Sequence, residues 1–208
     1  LDSRYLCGDH ALSNEFEINI AREVVHIGDT EFIRRKKSEL LARHKRQSNS
    51  LYLVEPNVKE GCGGLRDLHT AWWLAKVNFD SQNLRSLSAL GVVREEDLIT
   101  VEAAQDFLWK VRSGLHLLEK SSQDKLTFES QDYIAPRLGF DDATDLMRTY
   151  YRHVTTIHEF TQVVLEKCLA TPRTLSFLNR HRRRELRDGV SILSLIHISE
   201  PTRRTPIS

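Results

Sequence analysis

Residues 55–75 read EPNVKEGCGGLRDLHTAWWLA, and the rest of the chain is organised around this stretch. Its glycines, Gly61, Gly63 and Gly64, can adopt positive φ angles, so they predict a tight loop. After the loop, apolar residues recur at helical spacing, namely Leu65, Leu68, Trp72 and Ala75. The stretch therefore predicts a glycine-rich loop that feeds the N-terminus of a central helix.

Two basic residues flank this loop, Lys59 before it and Arg66 in the first turn of the predicted helix. A phosphate binds well at a helix N-terminus because the backbone N–H groups there carry partial positive charge. The spacing is neither G-x-G-x-x-G nor a Walker loop, since no Gly-Lys-Ser/Thr follows the glycines. Spacing alone leaves two interpretations open: a phosphate site, or a tight turn in which the glycines serve only the change of chain direction.

The remainder of the chain has the periodicity of a helical protein. Two long segments, at about 94–120 and 143–169, each carry one apolar stripe. The first stripe is Leu98, Val101, Leu108, Val111, Leu115 and Leu118, and the second is Leu146, Tyr150, Val154, Ile157, Thr161 and Val164. Two long antiparallel helices beside the central helix predict a mainly α-helical bundle. Among these leucines, His116 is more typical of a hydrogen-bonded core histidine than of a catalytic base.

A basic helix is predicted ahead of the central stretch, at about residues 31–46. Its cations are Arg34, Arg35, Lys36, Lys37, Arg43, Lys45 and Arg46. One interpretation is a solvated helix face. The other is that some of these cations hold a polyphosphate or an acidic partner. The helix lacks the interleaved aromatic residues that are typical of nucleic-acid binding, so a nucleic-acid partner is not expected.

The overall composition narrows the class of protein. The chain has 30 Lys and Arg against 29 Asp and Glu, and this net charge of +1 favours neither nucleic acid nor a membrane surface. No apolar run approaches the roughly 18 residues that a transmembrane helix needs. Three widely spaced cysteines, Cys7, Cys62 and Cys168, predict free thiols and a cytoplasmic location.

Two runs of the central stretch, EPNVKE at 55–60 and GGLRDL at 63–68, resemble the signature of the PII uridylyltransferase/uridylyl-removing enzymes. These bacterial nitrogen sensors transfer UMP from UTP to a tyrosine of the PII signal protein. Further matches to the resemblance are R-H-x-R at 43–46, R-x-x-L-H at 112–116 and D-x-L-x-F-x-x-Q at 124–131. The glutamine synthetase adenylyltransferases are similar in the Gly-Gly-hydrophobic-Arg-acidic run but lack the Glu-Pro-Asn-Val lead-in, and they are an alternative. The resemblance extends over about residues 1–170.

The resemblance implies a nucleotide site at the glycine loop. The residues expected to face the active-site cleft and position UTP are Lys59, Gly63, Gly64 and Arg66, the glycines through their backbone amides. Arginine suits this role because its guanidinium offers a planar fork of donors to phosphate oxygens. Asp67 is expected to orient Arg66 or to cap the helix.

The resemblance also implies what lies outside the chain. Nucleotidyl transfer needs Mg²⁺ held by Asp or Glu side chains, which the family carries after a glycine loop as Asp-x-Asp. No Asp-x-Asp follows glycines here, so the catalytic core and its metal are expected ahead of Leu1. The uridylyl-removing activity needs a His-Asp pair, and the chain has no His-Asp dipeptide. Glutamine-sensing domains are expected beyond the other end, which leaves a fragment inactive on its own.

These expectations divide the chain into four parts. Residues 1–50 would adjoin the catalytic core, 51–171 would form the helical domain, and 172–192 would begin the next segment. Residues 193–208 begin LSLIHISEPTR, which resembles the translation of a sequencing-library adaptor, so they are excluded from fold reasoning. The alternative to an enzyme is a helical interaction module whose basic helix docks an acidic partner or nucleic acid.

Overall fold

The computed structural model describes residues 5–27, 29–79, 81, 84–119 and 123–170. Within them lie seven helices: α1 (His10–Ile27), α2 (Asp29–Arg46), α3 (Leu65–Phe79), α4 (Leu84–Ala89), α5 (Glu95–Glu119), α6 (Phe128–Arg137) and α7 (Ala143–Ala170). The described residues contain no strand, only an isolated antiparallel bridge between Asn57 and Lys125. The predicted mainly α-helical class is therefore confirmed. The predicted segments 172–192 and 193–208 lie outside the described residues, and the division near residue 50 stays a prediction.

Helix α7 is the centre of the bundle, because α2, α3, α5 and α6 all pack against it. Its whole predicted inner stripe is buried, with Leu146, Tyr150, Val154, Ile157, Thr161 and Val164 each at most 1% exposed. Each large apolar side chain buried in this way contributes about 1.5–3 kcal/mol to folding. An aspartate starts the helix: the Asp142 carboxylate accepts the backbone N–H of Asp145 at 2.8 Å.

Helix α5 lies against α7 and follows the second predicted stripe. Leu98, Val101, Leu108, Val111 and Leu115 are buried, whereas Leu118 is only half-buried. The first turn carries Glu95, Glu96 and Asp97, whose negative charges suit the positive end of the helix dipole.

Helix α3 begins at Leu65, directly after the glycine loop, as the sequence predicts. Leu65, Leu68 and Ala75 are buried at its core face, and Trp72 is half-buried. The helix packs on both α2 and α7. None of the described helices has the length and apolar character that crossing a bilayer requires.

Candidate functional site

Asn57 organises the loop that leads into α3. Its side-chain oxygen accepts the backbone N–H groups of Lys59 at 3.0 Å and Glu60 at 2.6 Å. Its backbone oxygen accepts the N–H of Gly61 at 2.9 Å. A β-carbon on Gly61 would lie 2.6 Å from that backbone oxygen, so the turn requires glycine at this position. The loop is therefore a folded turn that is stabilised from within.

The amides of Gly63 and Gly64 are used inside this turn. Gly63 donates its N–H to the Asp67 carboxylate at 2.8 Å, and Gly64 donates to the backbone oxygen of Gly61 at 3.0 Å. The sequence-based expectation that these two amides are free to hold a phosphate is wrong, since each already has an acceptor within the loop. The backbone N–H groups of both glycines stabilise the turn, as the alternative interpretation expects.

Gly63 has a second role, in packing. Its φ is +69°, and a β-carbon there would lie only 2.0 Å from the backbone oxygen of Val154 on α7. The absence of a side chain thus lets the loop rest directly on the central helix. Gly63 therefore fixes the position of the α3 N-terminus relative to α7.

Asp67 is a buried junction between α2 and α3. Its carboxylate accepts from Arg43 Nη2 at 2.6 Å and lies 2.8 Å from His44 Nε2, while Arg43 and His44 are themselves buried. Together with the N–H of Gly63, these groups surround a carboxylate with no exposed surface. The expectation that Asp67 orients Arg66 is wrong, because Arg66 pairs with Glu60 at 3.3 Å instead. Asp67 accepts the N–H of Gly63, ahead of the helix, whereas the first two N–H groups of α3, those of Leu65 and Arg66, donate to the backbone oxygens of Val58 and Lys59. The expected capping role of Asp67 therefore stays a prediction.

The basic residues of α2 differ in their exposure. Arg34, Arg35, Lys37, Lys45 and Arg46 are exposed, as the interpretation of a solvated face requires. Arg43 and His44 instead face inward to Asp67, 24 and 23 residues away in sequence. The R-H-x-R match contained both residues, but periodicity gave no signal that their partner was Asp67.

A second buried carboxylate, Asp124, gathers basic residues from two other segments. Its Oδ1 accepts from Arg112 Nε at 2.7 Å and lies 2.9 Å from His116 Nε2, both on α5. Its Oδ2 lies 3.8 Å from Lys59 Nζ. His116 was expected to be a hydrogen-bonded core histidine. The hydrogen bond is confirmed, but the side chain is 34% exposed rather than fully buried.

Backbone pairing joins the two halves of the resemblance into one unit. The N–H of Val58 donates to the backbone oxygen of Asp124, and the N–H of Leu126 donates to that of Pro56, both at 2.8 Å. Three side-chain contacts extend the pairing: Lys125 to Glu55 at 2.8 Å, the N–H of Phe128 to Glu55 at 3.2 Å, and Gln131 to the backbone oxygen of Val54 at 2.7 Å. The lead-in to the glycine loop and the segment that precedes α6 therefore position each other.

Lys59 and Arg66 lie together at the edge of this unit. The N–H of Arg66 donates to the backbone oxygen of Lys59 at 2.9 Å, and the two side chains are 33% and 32% exposed. Each has a carboxylate partner, Asp124 for Lys59 and Glu60 for Arg66, at 3.8 and 3.3 Å. The structure thus joins the backbones of the two residues predicted to bind phosphate, and that binding role stays a prediction.

An open groove of about 450 Å³ lies next to the paired segments. Its lining residues are Arg46, Gln47, Ser48, Leu53, Val54, Glu55, Lys125 and Phe128. None of the predicted nucleotide-binding residues lines this groove. Within the part of the chain that the structure describes, no group of three or more His, Cys, Asp or Glu side chains is placed to hold a metal ion.

Acid is expected to destabilise the fold through the two buried carboxylates. Burial raises the pKa of Asp67, but the hydrogen bond and charge of His44, with the hydrogen bonds from Arg43 and the Gly63 N–H, outweigh burial, so its pKa lies below the ordinary value. The pKa of Asp124 is lowered in the same way by Arg112 and His116, again against burial. A carboxyl group whose pKa is lower in the folded state stabilises the fold at pH values above its pKa in the unfolded chain, about 3.9. This stabilisation is lost as the pH falls below that value.

The measurement is the free energy of unfolding between about pH 7 and 2.5, followed by circular dichroism in urea. Asp67→Asn cannot ionise at this position, so we expect a smaller loss of stability over the acid range than in the unmodified chain. Equal losses in the two proteins would contradict the assignment of a depressed pKa to Asp67.

The residues of this site lie within the part of the chain that is similar in sequence to known proteins. The family model for GlnD PII-uridylyltransferase matches residues 31–165. The bifunctional uridylyltransferase/uridylyl-removing enzymes of Rhodopseudomonas palustris and Nitrobacter hamburgensis are each 38% identical over 173 residues, 80% of this chain and 19% of theirs. The enzyme of the same name from Ruegeria pomeroyi is 34% identical over 202 residues, 93% of this chain and 22% of its own. The chain thus spans about a fifth of the length of these curated relatives. No solved structure matches it significantly.

Proposed function

Since this chain belongs to the GlnD PII-uridylyltransferase family, we propose that it is the helical segment of an enzyme that transfers UMP from UTP to a tyrosine of a PII signal protein. The observation that carries the proposal is the convergence of the family-like stretches. Residues 43–46 and 55–68 belong to one part of the sequence and residues 112–116 and 124–131 to another, yet they meet around the buried carboxylates of Asp67 and Asp124. A shared site explains why such distant stretches carry the resemblance.

In this proposal Lys59 and Arg66 hold phosphate oxygens of UTP. Both side chains are part-exposed and positively charged, and the backbones of the two residues are hydrogen-bonded to each other. Charge-assisted hydrogen bonds from a guanidinium fork would fix the orientation of the phosphates. Asp67 acts indirectly: it binds Gly63 and Arg43 and so fixes the turn from which Lys59 and Arg66 project.

The Mg²⁺ that supplies charge neutralisation in nucleotidyl transfer does not fit the carboxylates of this site. Mg²⁺ prefers carboxylate and water oxygens in an octahedral arrangement. Asp67 already accepts from Arg43 and His44, and Asp124 from Arg112, so their oxygens lie against cations. We therefore propose that the metal binds elsewhere in the enzyme, and that the glutamine response and the uridylyl-removing activity also belong to other parts of it.

Replacement of Arg66 by glutamine is expected to weaken UTP binding. The loss of one charge-assisted hydrogen bond to phosphate costs about 1.5–3 kcal/mol, which corresponds to roughly a 10- to 100-fold increase in Kd. The measurement is isothermal titration of UTP into the chain at constant ionic strength. Arg85→Gln is the matched control, since Arg85 is an exposed arginine of α4 that pairs with Glu102.

The outcome that would contradict this assignment is an Arg66→Gln chain that binds UTP as tightly as the Arg85→Gln control. If binding instead responds only to substitutions of exposed cations on α2, such as Lys37 or Lys45, the alternative of an interaction module with an acidic partner is favoured.

A further inference from the structure

The basic residues around Asp124 carry more positive charge than the single negative charge of its carboxylate. Two of them, Lys59 and Arg112, each bring one positive charge, and His116 lies 2.9 Å from the same carboxylate. One negative charge therefore faces at least two positive charges. Glu60 does not correct the balance, because it is paired with Arg66.

The geometry of Arg112 leaves it able to bind a second group. Its bond to Asp124 uses the Nε–H, so both terminal amino groups of the guanidinium can still donate. The ring of Trp109 also lies beside this guanidinium, with its centroid 5.4 Å from Cζ. The carboxylate and the indole hold the guanidinium in one orientation, which lowers the entropy cost of binding a ligand there.

The cluster is also accessible. The side chains of Lys59 and His116 are 33% and 34% exposed, and that of Arg112 is 18% exposed, whereas Asp124 beneath them is 10% exposed. Arg112 and His116 are four residues apart on α5, so they lie on one face of the helix. At 3.8 Å from Asp124, the Lys59 ammonium is beyond hydrogen-bond distance and keeps its donors for a ligand.

We propose that Arg112 and His116, together with Lys59, form a binding site for the phosphates of a nucleoside triphosphate, with the buried Asp124 as the group that holds the three side chains in place. The inference rests on the proposed function, because it extends the phosphate contacts of Lys59 and Arg66 onto α5. It assigns contacts to two residues outside the glycine loop. A phosphate group supplies the negative charge that the cluster lacks.

The test uses isothermal titration of the whole chain with two probes, UTP and inorganic triphosphate, at constant ionic strength. The variants are Arg112→Gln and His116→Gln, and Arg148→Gln is the control because Arg148 is an exposed arginine of α7 that pairs with Asp145. We expect Kd for both probes to rise at least about tenfold in each cluster variant and to be unchanged in the control. Circular dichroism establishes that each variant is folded, and His116→Gln alone decides the test if Arg112→Gln unfolds.

The outcomes separate this inference from the proposed function. Weaker binding of both probes in the cluster variants supports it, whatever the effect of Arg66→Gln. If Arg66→Gln weakens the binding of UTP, but folded Arg112→Gln and His116→Gln do not, the inference is overturned and the proposed function still stands. Failure of the unmodified chain to bind either probe overturns both for this chain.

Discussion

Replacement of Asp67 by alanine is expected to lower the free energy of unfolding by about 3–5 kcal/mol, because it leaves a buried charge without its partner. The Arg43 guanidinium and the His44 ring lie against this carboxylate and are almost completely buried, so water cannot replace it. The N–H of Gly63 also loses its acceptor. The measurement is unfolding in urea at pH 7, followed by circular dichroism.

A matched control for this prediction is Asp97→Ala. Asp97 also pairs with an arginine, Arg94, at 2.7 Å, but on the exposed surface of α5, where water can replace the lost carboxylate. We expect only a small change in stability for this variant. If Asp67→Ala were no more destabilising than Asp97→Ala, Asp67 would not be the group that joins α2 to α3.

Replacement of Gly63 by alanine is expected to destabilise the chain by about 2–4 kcal/mol, from two causes that add. The first is the φ of +69°, which an L side chain adopts only with strain. The second is the backbone oxygen of Val154, which would lie 2.0 Å from the new β-carbon and force α7 or the loop to move. Thermal and urea unfolding of the variant measure the sum of the two.

Gly139→Ala separates the two causes. Gly139 also has a positive φ, +84°, but a β-carbon there would meet no atom within 4 Å. We therefore expect this control to show the conformational cost alone, about 1–2 kcal/mol. Equal losses of stability at the two positions would mean that the glycine loop does not rest on α7 as closely as described.

The sequence predicts the helical parts of this molecule well because they follow from local periodicity. The inner stripe of α7 and most of that of α5 are buried as expected, since a helix that repeats apolar residues on one face must cover that face. The start of α3 directly after the glycines follows in the same way from turn and helix preferences.

The contacts of the site could not be predicted in this way, because they join residues that are distant in sequence. Periodicity along one segment carries no information about Arg43 and Asp67, which are 24 residues apart, or about the backbone pairing of Val58 with Asp124. The expectation of free glycine amides failed for a related reason: it treated the loop in isolation, whereas Asp67 accepts the N–H of Gly63 from within α3.

The resemblance identified the right stretches but not how they meet. It marked R-H-x-R, the glycine loop, R-x-x-L-H and the segment at Asp124 as separate matches. The structure shows that they form two charge clusters, one on Asp67 and one on Asp124, with Lys59 in contact with the second. Opposite charges in separate matched stretches are a signal that could have suggested these pairs from sequence.

The most direct test of the proposed role is UMP transfer to a PII protein by a chimera. In it, the matching segment of a full-length relative, such as the enzyme of Rhodopseudomonas palustris, is replaced by residues 31–165 of this chain. We expect the chimera to transfer UMP, and Arg66→Gln within it to lower the rate by about 10- to 100-fold, whereas Arg85→Gln leaves the rate unchanged. A chimera with Arg66→Gln that transfers UMP as fast as the one with Arg85→Gln would contradict a role for this site in holding UTP.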